Sequence, residues 1–217
     1  MSLLLQITII LLLLGNFALL ASQRLETSIR LVALQGCFLA ALLMLVPHSG
    51  SAGLLHGLLL AAAIIGIKAI GFPLLLRRTL RKISFKPHTV NATKHHIFGV
   101  VAGMGTLIFS LWLESRLPFA KELYPSMFFP AALTTLFTGL TMVVARQRAL
   151  TQVVGYLVAE NGIFLLSMPL MVASSTWYEL SLLLDVFVAV FVMGIAINHI
   201  HETFESIDVG RFCNLRD

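Results

Sequence analysis

Charge is what this chain lacks most. Only 12% of its 217 residues are Asp, Glu, Lys or Arg, about half the quarter usual in a water-soluble domain, and this excludes a soluble enzyme of ordinary composition. Cysteine is scarce as well. Cys37 sits inside an apolar run and Cys213 near the far end, without CxxC or Cys/His spacing; an iron-sulfur cluster, a zinc site and a disulfide framework are all unindicated. No polar stretch is long enough to fold alone: the longest connection, 77–96, is basic and lacks the Gly/Ser richness of a flexible linker. Acidic residues number 10 against 15 basic, but the basic ones cluster in short segments between apolar runs, so the excess reports membrane orientation rather than nucleic-acid binding.

What is present is apolar length, with 58% hydrophobic residues and a mean hydropathy of +0.93. Crossing a hydrocarbon core of about 30 Å takes roughly 20 mostly apolar residues. Seven stretches meet or approach that length: 3–21, 29–46, 53–76, 97–113, 128–145, 150–173 and 178–200. The expectation is an all-α polytopic membrane protein of seven transmembrane helices. Its first stretch ends in small residues, as a signal peptide does, but lacks a positive n-region and is long, so it is read as a retained span. With the N-terminus outside and the C-terminus cytoplasmic, the inner side holds Arg24, Arg30, Arg77, Arg78, Arg81, Lys82, Lys86, Lys94, Arg146, Arg148, Arg211 and Arg216, and the outer side only Arg116 and Lys121. Trp112, Tyr124, Trp177 and Tyr178 fall near outer helix ends as interfacial anchors. Gly99 and Gly103 form a small-xxx-small pattern that predicts close approach of another helix.

Three charges fall inside spans: Lys68 in the third, Glu160 in the sixth and Asp185 in the seventh. Each would cost about 2.5–3.5 kcal/mol at the centre of a lipid-facing helix, so they are expected to face protein or water. Snorkelling toward the headgroups is the plain alternative for Lys68; for the two shorter acids it is a carboxyl that only holds helices together. The functional reading is a proton relay of Glu160, Asp185 and Lys68, with Asn161 as a supporting group. Pro73, with Gly66 and Gly71 before it, is expected either to kink the third helix and allow a local break beside Lys68 or to be an ordinary tolerated membrane proline. Thr134, Thr138 and Thr141 follow i, i+4, i+7 spacing and either line a hydrated path or bond another helix. His56, His199 and His201 are too few and too dispersed to make a metal site, so no catalytic, metal or cofactor residue is assigned.

These segments resemble the hydrogenase-4 component E family, the membrane subunits of proton-translocating group 4 nickel-iron hydrogenases and formate hydrogenlyases. The likeness is strongest in Lys68-Ala-Ile-Gly-Phe-Pro73, in Gly155-Tyr-Leu-Val-Ala-Glu160-Asn161-Gly162, and from Asp185 through Ile207-Asp208-Val209. Residues 128–217 also resemble the three-helix K subunit of respiratory complex I and the C subunit of Mrp-type antiporters, leaving 1–127 as an N-terminal four-helix region. In the complex I subunit a Glu stands where this chain has Asp185, and the preceding Glu is displaced by a turn from Glu160. The resemblance implies a multi-pass subunit of the inner (cytoplasmic) membrane without a catalytic centre of its own. Its implied partners, besides the bilayer, are antiporter-like subunits and hydrogenase-module subunits that carry the nickel-iron and iron-sulfur centres. A complex I-like or Mrp-like cation/proton antiporter without a hydrogenase, or a purely structural spacer, are the competing expectations.

Overall fold

The computed structural model describes residues 2–22, 24–45, 58, 61, 62, 64–82, 92–117, 127–146 and 149–173, and all regular structure among them is helical. In chain order these are α1 (Ser2–Ala21), α2 (Leu25–Leu45), a π-helical turn (Ile65–Gly71) that runs directly into α3 (Phe72–Lys82), α4 (Ala92–Arg116), α5 (Phe128–Ala145) and α6 (Ala149–Ala173). Four of them, α1, α2, α5 and α6, are long and apolar enough to cross a membrane. The chain is therefore a multi-pass helical membrane protein, because a backbone in lipid must satisfy its own polar groups and a helix does so locally. The expected seventh span, 178–200, lies outside the described residues, as do Asp185, Cys213, Tyr124, Trp177, Tyr178 and the histidines at 56, 199 and 201.

Helix ends overrun the apolar stretches that announced them. The third span was expected to end at Leu76, whereas α3 continues through Arg77, Arg78 and Arg81 to Lys82, and α4 extends beyond 97–113 at both ends. Hydropathy measures the lipid-soluble part of a helix, while Arg, Lys and Leu all sustain helix beyond it.

Small residues set the packing. A Cβ added to Gly139 of α5 would lie 2.1 Å from the Ala159 nitrogen, and one added to Gly162 of α6 would lie 2.4 Å from the Leu136 nitrogen. These two helices thus touch backbone to backbone. Gly155, Ala159 and Gly162 recur at i, i+4, i+7 and make one smooth face on α6. The Gly99/Gly103 pair performs the same service on α4, where added Cβ atoms would stand 2.5 Å from the Leu20 carbonyl oxygen and 2.8 Å from Leu20 Cδ1. Buried apolar side chains fill two clusters, one around Leu39, Leu42, Ala132 and Met168, the other around Leu19, Ile29, Val154 and Val158. By contrast α1 turns Leu3, Leu4, Ile7, Ile10, Leu11 and Leu14 outward, as suits a helix bordering lipid.

Polar atoms secure the turns. Arg146, just past α5, donates from Nη2 to the carbonyls of Leu20 (3.0 Å) and Ser22 (2.9 Å), which satisfies two acceptors at the end of α1 that have no partner within their own helix. A guanidinium there also complements the negative end of the helix dipole, and its burial lowers its pKa from the usual value. On α4, Trp112 is exposed near the helix end with the Arg116 guanidinium 5.7 Å from its ring centroid, in keeping with an interfacial anchor.

Candidate functional site

A π-helix bonds each N–H to the carbonyl five residues back, one more than an α-helix, and the Phe72 N–H accordingly reaches the Ile67 carbonyl. The next residue explains the widening. Pro73 has no N–H to give, and its ring would collide with the carbonyl four residues earlier in a regular helix; the wide turn from Ile65 to Gly71 accommodates both. The helix does not break at Pro73: it stays hydrogen-bonded through a π-helical turn, and Lys68 sits at the middle of that turn.

Lys68 does not snorkel. Its side chain is 2% exposed, and Nζ donates to Glu160 Oε1 and, at 3.1 Å, to Asn161 Oδ1. The Phe164 ring lies on the same side, its centroid 5.2 Å from Nζ, close enough for a cation–π contact. Glu160, Asn161 and Phe164 occupy i, i+1 and i+4 of α6, so one turn of that helix supplies an anion, a neutral acceptor and an aromatic face to a single ammonium. The glycine at 36 brings the backbones together on the other side. A Cβ there would lie 3.1 Å from Lys68 Cβ and 3.2 Å from the Ala69 nitrogen, tighter than ordinary contact, so α2 rests directly on the π-helical turn.

Chemically, this is an ion pair 92 residues apart in sequence, sealed from solvent on both sides. Taking two charges out of water costs several kcal/mol per ion, which attraction and good hydrogen bonding offset only while both partners are present. Passage of one proton from Nζ to Oε1 converts the pair into two neutral groups, so the site has two states of equal net charge.

The two buried threonines of the stripe bond no other helix among the described residues. Thr134 and Thr138 are buried, with no hydrogen-bond partner for their hydroxyl oxygens among the described residues, and Thr141 is half-buried. The hydroxyl that does bond another helix is Thr135, one position off the stripe. It accepts from Asn16 Nδ2 at 2.7 Å and donates to the Ala131 carbonyl at 2.7 Å. Asn16 Oδ1 in turn accepts from Gln35 Nε2 at 2.8 Å. All three of these residues are at most 1% exposed, and none was singled out from the sequence. The signal was available: Asn16 and Gln35 are uncharged polar residues in the middle of otherwise apolar runs, where hydrocarbon offers an amide no partner.

Fold and site together define a multi-pass helical membrane protein with a lysine–glutamate pair buried inside its helix bundle. Set against family models, curated protein sequences and solved structures, the chain matches none.

Proposed function

We propose that this chain is a non-catalytic membrane-arm subunit of a proton-translocating, hydrogenase-type complex, in which Glu160 and Asp185 carry protons and Lys68 sets their charge balance. The resemblance to hydrogenase-4 component E supplies the type of complex. One observation carries the relay: Lys68 and Glu160, each costly in lipid, meet on buried faces of two helices and hydrogen-bond to one another. A π-helical turn at an intramembrane lysine adds to it, since such turns occur frequently at functional sites. In this reading the chain lies in the inner membrane with its N-terminus outside. Nickel-iron and iron-sulfur centres belong to partner subunits, and antiporter-like subunits flank it.

The test is Glu160→Gln in the assembled complex. Proton translocation falls severely while the complex still purifies with its full set of subunits; pumping at the parental rate overturns the reading. Affinity purification from mildly solubilised native membranes settles the type of complex, because a nickel-iron subunit among the co-purifying chains distinguishes a hydrogenase from an antiporter assembly. The structural-spacer reading draws on the glycine-mediated contact of α5 with α6. It requires that neutral replacements at Glu160 leave proton translocation per assembled complex at the parental rate.

A further inference from the structure

The hydrogen bonds among Gln35, Asn16 and Thr135 run in one direction: Gln35 Nε2 donates to Asn16 Oδ1 (2.8 Å), Asn16 Nδ2 to Thr135 Oγ1 (2.7 Å), and Thr135 to the Ala131 carbonyl (2.7 Å). This chain of donors crosses from α2 through α1 to α5 and ends on main chain. Its first residue is next to Gly36, where an added Cβ would lie 3.1 Å from Lys68 Cβ and 3.3 Å from the Lys68 carbonyl carbon. Its last helix, α5, lies backbone to backbone on α6 through Gly139 and Gly162. The connections therefore close on themselves: Lys68, α2, α1, α5, α6, Glu160, and back to Lys68. Every link of that ring but one is neutral packing or a neutral hydrogen bond. The exception is the ion pair.

We infer that Gln35, Asn16 and Thr135 are positioning residues that set the separation of Lys68 and Glu160 by fixing α2 as a wall behind the π-helical turn. A π-helical turn carries one more residue than the α-helical ladder needs, and Gly36 is the point at which α2 packs against it beside Lys68. An apolar contact would let α2 slide along α1, whereas a directional amide pair in a dry environment has one geometry and a cost for leaving it. The Gln35 amide has no other donor contact among the described residues, and its Oε1 has no hydrogen-bond partner there, so its hold on α1 rests on the single bond to Asn16.

The experiment is a double-mutant cycle of Lys68→Met and Glu160→Gln, run on the full chain by reversible unfolding in mixed micelles. It is repeated in three backgrounds: Thr135→Val, which is nearly isosteric and only removes the hydroxyl, Thr135→Ser, which keeps it, and Gln35→Leu. The Lys68–Glu160 coupling constant is expected to fall at least fivefold in Thr135→Val and Gln35→Leu and to stay within twofold in Thr135→Ser. The infrared carboxylate band assigned by difference against Glu160→Gln should broaden in the same two backgrounds. Unchanged coupling and an unchanged band in Thr135→Val overturn the inference, even if that variant is less stable, because a merely structural hydroxyl lowers stability without touching the pair. Neither readout involves proton transport, so this inference and the relay reading fail separately.

Discussion

Two buried polar clusters share this bundle and solve the same problem in opposite ways. Around Lys68 an ion pair supported by the Asn161 amide joins a π-helical turn to one turn of α6; around Asn16 the polar groups are all neutral, rest on regular α-helices and join three of them. A neutral hydrogen bond in a dry interior is directional, with a single protonation state, so it fixes a geometry. An ion pair there has a second, neutral state reached by moving one proton, so it can change. Chemistry able to switch is thus held in place by chemistry that cannot.

The comparison breaks most severely where a charge is left alone. Lys68→Met or Glu160→Ala should each cost about 3–5 kcal/mol of stability, since the remaining charge is buried without its counter-ion. Replacing both by apolar residues should restore most of that, and detergent unfolding of the three variants tests it. Next comes Gly139→Val, whose side chain would enter the Ala159 backbone. It should cost about 3 kcal/mol or more by forcing α5 from α6, visible as lost thermal stability and a weakened Lys68–Glu160 pair. Gln35→Leu should cost about 1–3 kcal/mol by leaving Asn16 Oδ1 buried without its donor, and Asn16→Leu in the same chain should recover part of it. Arg146→Met removes two bonds to the end of α1. A loss of about 1 kcal/mol is expected, because the group is half-exposed to water and headgroups. Leu11→Ala on the outward face of α1 should change stability by under about 0.5 kcal/mol in micelles and leave the ion pair as it is.

Much of the site was legible residue by residue. Lys68 and Glu160 stood out because charge is rare in apolar runs, Asn161 as the neighbour of Glu160, and Pro73 with its glycines marked the irregular stretch where the π-helical turn lies. The Gly99/Gly103 pattern predicted a close helix approach, and α1 makes it. The i, i+4, i+7 spacing of the threonines identifies residues on one face but not which face meets a polar partner. Thr135 lies a hundred degrees around the helix from Thr134, and Asn16 happens to be there. Asn16 and Gln35 were passed over because an amide carries no charge, although inside a membrane it too needs a partner.

That α1, α2, α5 and α6 are apolar over a membrane-spanning length was determined by the sequence itself, because hydropathy summed over about 20 consecutive residues is a local property that no neighbour alters. The same holds for the wide turn before Pro73, whose missing N–H is a covalent fact. Which polar groups meet was decided only by the tertiary structure. Lys68 and Glu160 are 92 positions apart, and Asn16 and Thr135 are 119 apart; glycines at 36, 139 and 162 bring those helices to the distances and rotations at which the side chains touch. Contact depends on the rotation of one helix against another, and that angle follows from the shapes of both surfaces at once.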